Sequence, residues 1–162
     1  MLEEGEYLAS LAKNVAVKVP LTVDGLKTCK SLREKGIMVN VTLCFSAAQA
    51  LLAAKAGASF ISPFVGRLDD IGEKGMDLIE DIVIMYENYA FETEVLVASI
   101  RTKQHVIDSA IIGDISKTSI LGHFFDLSSI SIEFDTTNLS IAELLRFCLL
   151  YTSPSPRDLS TS

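Results

Sequence analysis

The chain contains no tryptophan, only two histidines and three cysteines, and no apolar run long enough for a membrane helix. Each scarcity removes a class of function. His105 and His123 stand alone, and Cys29, Cys44 and Cys148 are widely spaced with no CxxC pair. No metal-ligand spacing is present, so no metal and no cofactor is expected. An odd number of scattered cysteines reads as free thiols in a reducing compartment. A net charge of −7 and a pI near 4.8 argue against a nucleic acid or an anionic membrane as partner. The apolar stretches fall short of the roughly 18 residues that a spanning helix needs. The opening MLEEGEYLASLAKN is acidic and amphipathic, unlike a secretion signal. A soluble, cytoplasmic protein is expected. A local pair of arginines can still hold a small anionic substrate whatever the global charge.

What is present is alternation. The 162 residues are 49% hydrophobic, enough for the core of one ordinary domain. MLEEGEYLASLAK has helical spacing, with Leu2, Leu8 and Leu11 on one face. The strand NVAVKVP follows, then the helix TVDGLKTCKSLREKG with Thr22 as N-cap and Gly36 as stop. IMVNVTLCF reads as a strand, and SAAQALLAAKAG as a helix between Ser46 and Gly57. ASFISPFVG is a strand, RLDDIGEKG a polar loop, and MDLIEDIVIMYENYA a helix. TEVLVASI and TKQHVIDSAIIG complete a fourth strand–helix pair. Repeated strand–helix units mean a parallel sheet, either an open doubly wound sheet or part of a (β/α)8 barrel. A complete barrel takes about 250 residues. After Gly113 the pattern dissolves, with a strand expected near 129–135 and a short helix near 139–147. The reading divides the chain into a barrel-like part (1–115), a divergent closing segment (116–147) and a non-native, disordered tail (148–162). That Ser/Pro-rich tail, CLLYTSPSPRDLSTS, resembles a translated sequencing adapter.

The polar residues share a pattern. In NVAVKVP, Val15, Val17 and Val19 point one way and Ala16, Lys18 and Pro20 the other. A lysine in a strand apolar on both faces either reaches its head to water or is a desolvated amine suited to attack a carbonyl. The second strand adds Asn40 and Thr42, the third Ser62 and Phe64 followed by Arg67, and the fourth Ser99 followed by Arg101. All lie toward strand C-terminal ends, where parallel α/β folds build their sites. An amine that forms an iminium gains an electron sink for breaking an adjacent C–C bond. The amide and hydroxyls suit substrate hydroxyls or a catalytic water, and the two guanidiniums suit a phosphate. Agreement among four strands favours the nucleophilic reading of Lys18.

VAVKVPLTVDGL, GIMVNVTLCFSAAQALLAAKAGA, ISPFVGRLDDIG and EVLVASIRT together resemble the transaldolase family, particularly its short-chain branch, over residues 1 to 113. The resemblance implies an incomplete (β/α)8 barrel carrying about four central βα units, with the first three strands missing. It implies transfer of a dihydroxyacetone unit between sugar phosphates in the pentose phosphate pathway, and a homo-oligomeric full-length protein. Lys18 then resembles the Schiff-base lysine. Asn40 and Thr42 resemble residues contacting substrate and catalytic water, Ser62 a substrate contact, and Arg67, Ser99 and Arg101 the phosphate-binding group. Phe64 stands where the related fructose-6-phosphate aldolases resemble this chain but carry a tyrosine, which leans the resemblance toward the transferase. The family's acid/base glutamate lies on a strand not matched here, so poor turnover of these residues alone is expected. An aldolase that releases its three-carbon product, and a non-catalytic phosphosugar-binding domain, are the competing readings.

Overall fold

The computed structural model describes residues 1–113 together with the strands Thr118–Ser119 and Glu133–Phe134. The elements run α1 (Leu2–Leu11), β1 (Val15–Pro20), α2 (Val23–Glu34), β2 (Met38–Cys44), α3 (Ala47–Lys55), β3 (Phe60–Pro63), α4 (Val65–Asp70), α5 (Gly75–Asn88), β4 (Glu94–Leu96), α6 (Lys103–Gly113), β5 (Thr118–Ser119) and β6 (Glu133–Phe134). The tail 148–162, the helix expected near 139–147, His123 and Cys148 lie outside the described residues. So does the rest of 116–147 apart from β5 and β6; the latter falls inside the stretch read as a strand.

Local chemistry accounts for the boundaries. The Thr22 hydroxyl accepts the Gly25 N–H at 3.0 Å, and the Ser46 hydroxyl accepts that of Gln49 at 3.3 Å, so both helices start at side-chain caps. Gly36 and Gly57, with φ of 77° and 81°, turn the chain out of α2 and α3 in the left-handed region that a side chain would disfavour. Two expectations need correction. The stretch read as a polar loop begins inside a helix: in α4, Val65 and Leu68, three residues apart, are both buried in the core. Leu11, read as part of the buried face of α1, is exposed, while Leu2 and Leu8 pack against the core.

The sheet order is β5-β4-β3-β2-β1-β6. β1 to β5 are parallel, each beside its predecessor, and β6 lies antiparallel on β1, with Val15 opposite Phe134 and Ala16 opposite Glu133. This order decides between the two architectures. A doubly wound sheet reverses direction at a switch point, and no reversal occurs across five consecutive parallel strands. From β1 to β5 the chain winds one way only, as the βα units of a TIM barrel do. Val17, Val19, Val39, Val41, Ile61, Val95 and Val97 supply the sheet side of one core. Cys29 and Leu32 of α2, three alanines of α3 and Ile79, Ile82, Val83 and Tyr86 of α5 supply the helix side. Burying each large aliphatic side chain contributes about 1.5–3 kcal/mol.

Candidate active site

Register puts the polar residues on the sheet face opposite that core. Paired residues of neighbouring parallel strands share a face. Lys18 pairs with Asn40 and Pro20 with Thr42; Asn40 pairs with Phe60 and Thr42 with Ser62. Lys18, Asn40, Thr42 and Ser62 therefore occupy one face of three adjacent strands. Lys18 is half-buried, and the other three are buried. The Ser62 hydroxyl donates to Asn40 Oδ1 at 2.9 Å. Thr42 Oγ1 is buried and makes no hydrogen bond with any described residue. Leaving such a hydroxyl unpaired costs about 1–3 kcal/mol, so a folded chain keeps one where something else is to be held.

The rim of the site is shaped by backbone irregularities. The β2–β3 register shifts between Thr42 and Cys44, and Leu43 there has φ of 64°. Such a bulge bends a strand and re-aims its side chains. The Phe64 N–H donates to the Cys44 carbonyl at 3.0 Å, and the Phe64 ring meets Phe45 edge-on with centroids 5.8 Å apart. Ser99 departs from the simple alternation. Val95 pairs with Ile61, so Val95, Val97 and, by parity, Ser99 would belong to the helix-facing side. The strand ends at Leu96, however, and Ser99 turns to φ of 59°, so this turn and not strand alternation sets its position.

Two hydrogen bonds tie the start of α4 to this turn: Val65 N–H to Ala98 O and Gly66 N–H to Ser99 O, each 3.1 Å. They bring the helix that carries Arg67 beside the segment that carries Ser99 and Arg101. The Arg101 side chain lies against Gly66, whose missing Cβ would stand 2.6 Å from Arg101 Cγ. The Arg101 guanidinium grips Asp70 with both terminal nitrogens, Nη1 to Oδ1 at 3.2 Å and Nη2 to Oδ2 at 2.8 Å. His105 is not the isolated residue the sequence suggested: its Nε2 lies 3.0 Å from Asp69 Oδ2 and its Nδ1 accepts the Arg101 backbone N–H at 3.3 Å. Asp69 and Asp70 were missed because RLDD read as loop, and Gly66 and His105 because their partners are distant in the chain or across the turn. The available signal was the acidic pair Asp69–Asp70, two residues after Arg67.

Among the described residues no group of three His, Cys, Asp or Glu side chains is arranged to hold a metal, and no helix is long and apolar enough to cross a membrane.

A singly wound parallel sheet with helices on one face and a lysine, an amide and hydroxyls on the other is a portion of a TIM barrel of the aldolase type. The model of the Transaldolase/Fructose-6-phosphate aldolase family matches residues 1–120, and the chain belongs to that family. Over 113 residues it is 70% identical to a probable transaldolase of Novosphingobium aromaticivorans, an alignment covering 70% of this chain and 52% of that protein. Probable transaldolases of Erythrobacter litoralis and a Ruegeria species are 66% and 67% identical over the same share of each chain. The chain thus spans about half the length of the curated relatives it matches. Among solved structures, it is similar in fold to the 4-hydroxy-2-oxoglutarate aldolase/2-deydro-3-deoxyphosphogluconate aldolase from TTHB1. The TM-score is 0.50 at 20% identity, covering 69% of this chain and 49% of that one.

Proposed function

We propose that residues 1–115 are the central part of a transaldolase that moves a dihydroxyacetone unit from a ketose phosphate to an aldose phosphate. The donor is fructose 6-phosphate or sedoheptulose 7-phosphate, as in the pentose phosphate pathway. Lys18 attacks the C2 carbonyl, and loss of water gives an iminium. As the acid/base glutamate implied by the resemblance takes the C4 hydroxyl proton, the C3–C4 bond breaks, its electron pair moving toward the iminium nitrogen to leave an enamine, and the C4 fragment departs as the aldose phosphate. The enamine attacks the aldehyde of the acceptor, and water hydrolyses the new iminium to free Lys18.

The observation that carries this reading is the buried, unpaired Thr42 hydroxyl beside the buried Asn40–Ser62 pair, on the strand face that bears Lys18. Buried polar groups without partners are rare enough to call for an explanation, and a reacting water or a substrate hydroxyl supplies one. Asn40 and Ser62 then hold donor hydroxyls, and Arg67, Ser99 and Arg101 hold the phosphate. Phe64 lines the site and moves no proton. That absence favours transfer over simple aldol release, because release requires a group to protonate the enamine carbon. The same reasoning leads us to expect slow turnover from these residues alone, since the acid/base glutamate implied by the resemblance is not among them. The complete protein acts as a cytoplasmic homo-oligomer.

Borohydride reduction in the presence of fructose 6-phosphate tests the reading. A stable adduct at Lys18, absent in Lys18→Met, is expected. No adduct in the wild-type chain would leave only a phosphosugar-binding domain. An adduct whose three-carbon unit is released equally fast with and without acceptor aldehyde would favour the aldolase.

A further inference from the structure

We infer that Asp70 is a positioning residue for Arg101, holding its guanidinium in the orientation in which it meets the phosphate of a sugar-phosphate substrate. This rests on the phosphate role proposed for Arg101. Three restraints converge on that one residue. Its stem lies against Gly66, where any Cβ would come within 2.6 Å of Cγ and 2.8 Å of Nε. Its tip is held by both carboxylate oxygens of Asp70. Its backbone N–H is fixed by His105 Nδ1, and the other nitrogen of that ring faces Asp69. The adjacent carboxylates at the end of α4 therefore reach across to both ends of the 101–105 stretch. Since α4 also carries Arg67, the contacts set the spacing between the two arginines.

Energetic bookkeeping points the same way. Arg101 and Asp70 are 46% and 45% exposed, and ion pairs that open to water add little to folding. A two-pronged grip on a planar guanidinium does restrict its rotation. It uses one N–H from each terminal nitrogen, and three of the five N–H groups remain to meet an anion. Asp70 also repels a phosphate, a cost that salt only partly screens at this range, and the benefit of holding the side chain in advance must exceed it.

The test is calorimetric titration of the 162-residue chain with inorganic phosphate at near-physiological salt. Variants are Asp70→Ala, Asp70→Glu, Arg101→Ala and the Asp70→Ala/Arg101→Ala double. Asp70→Ala is expected to weaken phosphate binding about threefold to tenfold by losing that preorganisation, and Asp70→Glu to recover most of it. In the Arg101→Ala background the Asp70 change should add nothing, the signature of one residue acting through another. Thermal midpoints should stay together, excluding a folding defect. If Arg101→Ala weakens phosphate while Asp70→Ala leaves it unchanged or tighter, the carboxylate is a bystander or a competitor and the inference fails. If the wild type binds no phosphate, or Arg101→Ala changes nothing, the phosphate role of Arg101 fails with it. Trapping of unphosphorylated dihydroxyacetone at Lys18 still reports on the imine chemistry separately.

Discussion

A methyl group placed on Gly66 would sit 2.3 Å from the Ser99 carbonyl oxygen, a backbone atom that cannot swing aside, as well as against the Arg101 stem. Gly66→Ala is therefore expected to destabilise the chain by about 1–3 kcal/mol, the range for forcing atoms into a packed site. Urea denaturation checks this, and phosphate binding should weaken together with stability. A second effect at this scale appears in alkali. Burial pushes the Cys29 and Cys44 thiols up from an ordinary 9.0 to about 11 each. Burial, with the nearby Cys44 charge adding to it, also raises Tyr86, whose hydroxyl donates to the Ala50 carbonyl at 2.7 Å. The unfolded chain sheds the thiol protons first, so above about pH 9 it binds fewer protons than the native one. Stability is then full below pH 9 and lost as pH rises toward 11. The urea midpoint at about pH 10.5 should lie below that at about pH 8, and Cys44→Ala should flatten the difference. Lys18, Asn40, Thr42 and Ser62 were legible in the sequence because period-2 alternation survives along β1, β2 and β3. Asp70 and His105 were not, because their partners lie 31 and 36 residues away across a turn that no alternation encodes.

Among the elements, side-chain caps made two helix starts legible in the sequence. Thr22 and Ser46 announce α2 and α3, and the left-handed glycines end them. Thr22→Ala removes one such cap, and a loss of about 1 kcal/mol is expected by chemical denaturation. Thr22→Ser should retain most of the stability, since the hydroxyl is what accepts the Gly25 N–H. α4 has no side-chain cap hydrogen bond and only 6 residues. It is held instead by Val65 and Gly66 donating to the turn after β4. A helix fixed by tertiary contacts leaves little trace in local sequence, which is why its two carboxylates were read as solvated loop. The strand placement of Ser99 was off for the converse reason: alternation was extrapolated past Leu96, where the chain had already left the strand.

At the scale of the whole molecule, the number of strand–helix units could be read from periodicity, but barrel against open sheet could not, because both produce the same alternation. The spatial order of the strands settled it. That order also ranks local stability. β2 and β3 each have a parallel neighbour on both sides, while β6 covers β1 only at Val15 and Ala16. Amide exchange should be slowest along β2 and faster in β1 beyond Ala16, measured residue by residue under native conditions. Uniform protection of β1 and β2 would contradict this.

The two buried cysteines turn the fold into a clock that can be read chemically. Cys29 belongs to α2 and packs between helix and sheet, whereas Cys44 ends β2 at the rim, next to the shifted register at Thr42. Neither thiol meets a reagent until its surroundings open, so alkylation rates, resolved by peptide mass spectrometry, time two different openings of one molecule. Equal rates would mean that the sheet and its helices come apart as a unit. Faster labelling of Cys44 would mean that the mouth of the site breathes while the core stays shut, and a sugar phosphate that slowed only that reaction would locate its own binding place without any assay of turnover.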